Sequence, residues 1–273
     1  MSWLQILILG AAVGFGEIFP LSGAGVGVPV RQLLGLPLDG SGDRMYSALL
    51  RIAIWLAVCL VLRRELWACL RSFSTPPRRR GAEMQEEARL HRRLALLLLL
   101  GALPIIPALL LQSRAARLGT LPGVAVFLTL NGFLLFLSDR VGHGKRDVRS
   151  ATVADSLCMG LAQAFSVIPG LSRTGLTMTA GILQGLDLEF SWKLSFLMAA
   201  PVMLLQSAVA LLGALGSGAS FCAPYLAGMA LAGLCAYLAL RLLRFAVRRN
   251  AFGSFAYVSW GTALLTFVLY LIC

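Results

Sequence analysis

The chain has 273 residues, of which 58% are hydrophobic and only 13% charged, with a mean hydropathy of +0.82. Soluble domains carry roughly a quarter charged residues, so a soluble core is excluded and lipid must be the solvent for much of this surface. The net charge of +12 would suggest nucleic acid in a soluble protein; here Lys and Arg lie mostly in loops between apolar runs, as flanks beside anionic lipid do, and a nucleic-acid partner is set aside.

The first run, residues 3–19, is apolar but short, is punctuated by Gly10, Gly14 and Gly16, and stops at Pro20. No basic stretch precedes it, which argues against a cleaved leader. Residues 20–37 are rich in Gly and Pro yet mostly uncharged, the composition of backbone that enters a membrane, breaks and returns. Residues 45–62 form a first full span. The stretch 63–93 is basic and polar. Its middle, 75–81, reads as a flexible turn, and Glu83, Glu86 and Glu87 followed by Arg89, Arg92 and Arg93 read as a short amphipathic surface helix. Residues 94–111 are a second span, kinked by Pro104 and Pro107, and 122–138 a third. After the basic loop 139–150, residues 151–168 are apolar, Pro169-Gly170 breaks them, and 175–186 resume and stop near Asp187. Spans follow at 192–215 and 224–243, the second ending in Arg244, Arg248 and Arg249, and 252–272 complete the chain. The six cysteines (59, 69, 158, 222, 235, 273) are scattered, form no CxxC and have no neighbouring His, so they read as small packing residues.

One orientation satisfies every loop. With 63–93 and 139–150 in the cytoplasm, the uncharged loop 216–223 lies outside and the arginines after residue 240 lie inside. The segments 3–37 and 151–187 are then hairpins dipping in from opposite faces, and both termini are outside. The expected fold is an all-α polytopic membrane protein of the inner (plasma) membrane, one membrane domain over 1–273. It divides into two inverted-topology repeats, 1–138 and 151–273, each a re-entrant helical hairpin plus three transmembrane helices. The tips echo each other: Pro20-Leu21-Ser22 with Gly25, and Pro169-Gly170-Leu171-Ser172 with Gly175.

Few charges fall within the apolar stretches. Glu17 precedes the first tip, Arg173 sits at the second, and Arg51 lies early in the first full span. A charge at membrane depth costs at least about 2.5–3.5 kcal/mol, so each marks a candidate site. At the second tip, Gly170 and Gly175 let backbone amides point inward, a restarting helix offers free donors, and Ser172, Thr174 and Thr177 add hydroxyls. Arg173 adds a fixed charged fork that matches phosphate oxygens. Together these read as a phosphate cradle.

The run Gln163…Ile168-Pro169-Gly170-Leu171-Ser172-Arg173-Thr174-Gly175…Thr177, with Glu189-Phe190-Ser191, Ser195-Phe196-Leu197 and Pro201 downstream, resembles the bacitracin-resistance type of undecaprenyl-diphosphate phosphatase. The first tip matches partly, through Gly14, Glu17, Phe19-Pro20-Leu21-Ser22 and Gly25. The resemblance covers nearly the whole chain. It implies removal of the terminal phosphate from a C55 polyprenyl diphosphate at the outer face, feeding carrier lipid back to cell-wall synthesis, with Mg²⁺ or Ca²⁺ as the usual cation. It also implies Glu17, Ser22 and Arg173 as catalytic residues and Glu17 as the metal ligand. Gly170, Ser172, Arg173, Thr174, Gly175, Thr177, Arg51 and Gln163 would bind phosphate, and a homodimer is compatible with it.

The departures fall in the first motif. Where the family has Glu four residues before Glu17, this chain has Val13, and where it has Ser and His after Ser22, it has Gly23 and Val26. Arg51 stands where Gln is usual. A hard divalent cation wants several oxygen ligands, so the expected cation site is depleted while positive charge has been added, and Arg51 is expected to take over part of a metal's role in balancing a diphosphate. Three functions stay open on these residues: a lipid diphosphatase, metal-dependent or metal-independent; a non-catalytic polyprenyl-phosphate binder or flippase of the same fold; and a purely structural or regulatory membrane subunit.

Overall fold

The structure, a computed structural model, describes residues 1–37, 43–74, 82–142 and 144–272. Among these, every regular element is helical apart from an isolated bridge between Arg146 and Leu186. In chain order the helices are α1 (Trp3–Ile18), α2 (Gly23–Leu33), α3 (Arg44–Val61), α4 (Arg63–Ser74), α5 (Ala82–Ala102), α6 (Ile105–Leu110), α7 (Gln112–Ala115), α8 (Leu121–Arg140), α9 (Val153–Ala164), α10 (Arg173–Leu183), α11 (Leu188–Gly216), α12 (Pro224–Arg248) and α13 (Phe255–Ile272).

Among the described residues, six segments are long and apolar enough to cross a membrane: 44–61, 85–110, 121–140, 188–216, 224–248 and 252–272. The chain is thus an all-α polytopic membrane protein. The remaining apolar helices are shorter. At 1.5 Å per residue α1 is about 24 Å long and α9 about 18 Å, short of the ~30 Å of a hydrocarbon core.

Three expectations change in detail. Gly10, Gly14 and Gly16 do not interrupt α1, and the first two bring it against α12. A Cβ on Gly10 would stand 2.7 Å from the Gly228 carbonyl oxygen, and one on Gly14 would stand 2.5 Å from that of Ala232. The Gly/Pro-rich stretch after Pro20 is not irregular backbone. It forms α2, with Pro29 inside the helix, because reversal is concentrated in Pro20, Leu21 and Ser22. The basic stretch 63–93 is largely helical: α4 continues almost directly from α3, and the expected surface helix runs on without a break into the second span. Nothing between Glu86 and Arg93 stops a helix: the stretch holds no Gly or Pro, and Glu86 and Arg89 stand at an i, i+3 spacing that supports one. The expected turn at 75–81 lies outside the described residues, as do His143 and Cys273. Of the two prolines expected to kink the second span, Pro104 stands in the break between α5 and α6, and Pro107 lies inside α6.

Helix partners exchange between the halves. α1 packs on α12 as α9 packs on α5, and α2 meets α13 as α10 meets α8. α3 packs against α11, and α8 against α13. The core joins these seams through Trp192, Phe196, Leu135, Ile54 and Met159, all fully buried.

Two ion pairs lock the ends of hairpins. Arg31 of α2 makes a two-pronged bond to Asp43 just before α3, at 3.0 and 2.9 Å, and reaches the Pro37 carbonyl and the Ser47 hydroxyl. Arg146 bonds Asp155 in the first turn of α9 and the Gln184 carbonyl after α10.

Candidate functional site

Both hairpin tips use one local device. Ser22 caps α2 and Ser172 caps α10, each hydroxyl accepting the amide of the glycine three residues on, Gly25 at 3.3 Å and Gly175 at 3.1 Å. A serine at this position satisfies one of the orphan amides of a first turn. The tips also touch. The Ser172 hydroxyl donates to the Phe19 carbonyl at 3.4 Å, and Asn131 of α8 clamps both. Its side-chain nitrogen donates to the Pro20 carbonyl at 2.7 Å and to the Ser259 hydroxyl at 3.1 Å, while its oxygen accepts the Ser172 amide at 3.1 Å.

Across this junction the Arg173 guanidinium meets the Glu17 carboxylate at 3.0 Å. Arg173 is 8% exposed in its side chain and Glu17 is 32% exposed, so the carboxylate faces open space while the arginine is held in the wall. The second carboxylate oxygen of Glu17 lies where a Cβ on residue 23 would stand. Gly23 therefore makes room for the pair, and a side chain there would displace it.

The pair forms the floor of a cavity of about 750 Å³. Among the described residues, five arginines line it: Arg31, Arg44, Arg51, Arg117 and Arg173. Glu17 is the one carboxylate among the described lining residues. Arg31 is committed to Asp43, whereas Arg44, Arg51 and Arg117 have no hydrogen-bond or ion-pair partner among the described residues. Cations gathered without counter-charges repel one another, most strongly where water is scarce, so the cavity is tuned for a multiply charged anion.

Of the residues singled out in the sequence, Glu17, Ser22, Arg51 and Arg173 line this cavity. The others lie behind its wall. Gly170, at φ +99, turns the chain against Val124 and Phe127 of α8. Gly175 packs on Asn131. Ser172 is spent on its cap and on Phe19. Thr174 is buried. Thr177 donates back to the Arg173 carbonyl at 2.8 Å and accepts from the Ser195 hydroxyl of α11, so it braces the helix that carries Arg173 instead of facing the cavity. Gln163 is fully buried, and neither end of its amide has a partner among the described residues. Asn131, Arg44 and Arg117 were not singled out in the sequence. A lone Asn inside the run 122–138 was a readable signal, because a polar side chain at that depth needs a partner. Arg44 and Arg117 looked like ordinary flanking charges.

The donor set does not fit a hard divalent cation. No group of three His, Cys, Asp or Glu side chains comes together among the described residues. Glu17 is bonded to Arg173, Val13 stands in the wall four residues earlier, and Val26 packs against Gly16. What the arrangement can do is hold phosphoryl oxygens with guanidinium forks, with the Ser22 hydroxyl and with the open first-turn amides of Gly23 and Ala24.

Residues 6–265 match the model of the family described as bacitracin resistance protein BacA. Curated relatives called undecaprenyl-diphosphatase include that of Methanobrevibacter smithii, 28% identical over 98% of each chain. That of Rubrobacter xylanophilus is 31% identical over 98% of each chain. That of Gluconobacter oxydans is 37% identical over 75% of this chain and 74% of its own.

Proposed function

The chain belongs to the bacitracin resistance protein BacA family, and on that footing we propose that it removes the terminal phosphate of an undecaprenyl-class diphosphate lipid, with arginines standing in for a divalent cation. The observation that carries this reading is the Glu17–Arg173 pair across the two tips, at the floor of a cavity lined by unpartnered guanidinium groups.

Phosphoryl transfer passes through a loose transition state, so catalysis is mainly positioning and charge stabilisation. The diphosphate head competes with Glu17 for Arg173, and Arg51 meets the remaining charge. Glu17, released from its partner, then accepts a proton from water. The water oxygen bonds to the terminal phosphorus as the bond from that phosphorus to the bridging oxygen breaks. The electron pair stays on the bridging oxygen of the departing lipid monophosphate, and orthophosphate is the second product. The Ser22 hydroxyl accepts from Gly25, which leaves its own hydrogen free for a phosphoryl oxygen. The same reading puts the cavity mouth on the outer face, loops 63–93 and 139–150 in the cytoplasm, and the two halves in inverted relation. The exchange of helix partners supports that last point.

Purified chain given undecaprenyl diphosphate should release orthophosphate in EDTA as well as in Mg²⁺, and Arg173→Ala should abolish release. Loss of all turnover in EDTA would overturn the arginine-for-metal reading. A second reading, a lipid-phosphate carrier, is favoured by Gly23 and Val26, which remove a hydroxyl and an imidazole from the first motif. Passage of a labelled lipid phosphate across liposomes without phosphate release would establish it in place of hydrolysis.

A further inference from the structure

α11 carries no charge beyond Lys193, and from Phe196 to its end Gln206 and Ser207 are its only polar side chains. Both line the cavity. Gln206 is half-buried, and its amide has no hydrogen-bond partner among the described residues. Ser207 is 2% exposed, and its hydroxyl is likewise without a partner there. Hydrocarbon offers such groups nothing to bond, so a polar side chain in the middle of a spanning helix marks a site.

Helix contacts fix the level at which these two residues stand. Gly14 of α1 lies against Ala232 of α12. The next residue of α12, Gly233, lies against α3, where its Cβ would stand 3.6 Å from the Ala53 Cβ. Tyr46 of α3 bonds the Ile6 carbonyl of α1, so α1, α3 and α12 run in one direction. Glu17, three residues past Gly14, is therefore about level with Trp55 on α3. α11 runs the opposite way beside α3. Met45 shares a small pocket with Ser217 at one end, and just past the other end of α3 Glu65 meets Lys193 at 3.8 Å. Halfway between these anchors stand Trp55 on one chain segment and Leu205 on the other. Gln206 is thus within one turn of the level of Glu17 and, through the ion pair, of Arg173.

We propose that Gln206 holds the attacking water of the hydrolysis. The inference rests on the hydrolase reading and adds a residue to it. Phosphoryl oxygens ask only for donors, which the arginines supply. The water asks for two acceptors, one for each hydrogen. Glu17 is one, and a second carboxylate in its place opposite would repel the anionic head. The Gln206 amide oxygen accepts without adding charge, and its nitrogen donates to a phosphoryl oxygen, so one side chain ties the water to the phosphorus it attacks. Gln206 orients the water and Glu17 takes its proton.

The test compares wild type with Gln206→Met, which keeps the length of the side chain and removes both polar atoms. Phosphate release from undecaprenyl diphosphate gives the rate, measured in Mg²⁺ so that the outcome does not hang on metal independence. Binding of the methylene-bridged analogue, which has no anhydride oxygen to release, gives the affinity. Gln206→Met should lower the turnover number about a hundredfold, the scale of a misplaced reactant, with the analogue's affinity kept and the thermal midpoint unchanged or higher. A merely structural residue would lower the midpoint, the rate and the affinity together. Gln206→Glu puts a second carboxylate beside the head and should weaken analogue binding at least about tenfold. Unchanged affinity in that variant would place residue 206 away from the head and overturn the proposal, as would a rate lost only in step with affinity in Gln206→Met. Turnover that survives Gln206→Met removes this residue alone and leaves the hydrolase reading standing. Wild type that binds the analogue and releases no phosphate removes the hydrolase reading, and the water with it.

Discussion

Ser22 is the residue on which stability and function pull apart. Its φ of 73° lies in the left-handed region, which costs a non-glycine residue about 1–3 kcal/mol. A glycine cap loses only a few tenths of a kcal/mol relative to serine. Ser22→Gly should therefore leave the thermal midpoint unchanged or higher, while phosphate release falls because no hydroxyl reaches the phosphoryl group. A lower midpoint with unchanged turnover would make Ser22 merely structural. Asn131 poses the opposite case. It touches neither the cavity nor its charges, yet its three hydrogen bonds hold Pro20 and Ser172 in register. At about 1 kcal/mol net for each bond, Asn131→Leu should cost about 3 kcal/mol of stability in a detergent melt and lower turnover by loosening the Glu17–Arg173 alignment. Ser259→Ala, which leaves the two tip bonds of Asn131 intact, should cost less; equal losses would contradict the clamp.

At the scale of elements, the short helices α1 and α9 are held from behind by longer ones. α1 is held by backbone-to-backbone approach to α12. A Cβ at Gly14 meets carbonyl and Cα atoms of Ala232, which no rotamer change can relieve. Gly14→Ala should then cost about 2 kcal/mol by overpacking, whereas Gly261→Ala, where a Cβ meets nothing within 4 Å, should be neutral or slightly stabilising through helix propensity. A thermal melt of the two variants makes the comparison. The spans and the tips were legible in the sequence because hydropathy and Pro/Gly punctuation are local properties. The role of Gly10 and Gly14 was not legible, because a glycine that breaks a helix and one that admits a neighbour look alike until the neighbour is known. The same reason hid Thr177: its spacing placed it near Arg173, but only the packing of α10 on α11 decides that its hydroxyl turns to Ser195.

For the molecule as a whole, the excess of arginine over carboxylate has two separate origins. Away from the cavity, charges are paired between helices, as with Glu189 held by Arg244 at 2.9 Å and Arg248 at 3.0 Å. Of those in the cavity, Arg31 and Arg173 are paired, whereas Arg44, Arg51 and Arg117 have no hydrogen-bond or ion-pair partner among the described residues. Sequence alone could place Arg51 at membrane depth, but it read Arg44 and Arg117 as flanks, since whether a loop cation faces lipid or a cavity depends on how distant helices close around it. Val13, where the resemblance implies a carboxylate, and Arg51, where it implies Gln, act in the same electrostatic direction, in a cavity wall with Glu17 as its one described carboxylate. The most direct measurement is the affinity of the chain for a polyprenyl diphosphate in EDTA, compared with Arg51→Gln under the same conditions. The account predicts tight binding by wild type without metal and binding at least about tenfold weaker by the variant, which can no longer offer a charge-assisted hydrogen bond from position 51. Equal affinities, or binding by wild type only after a divalent cation is added, would contradict it.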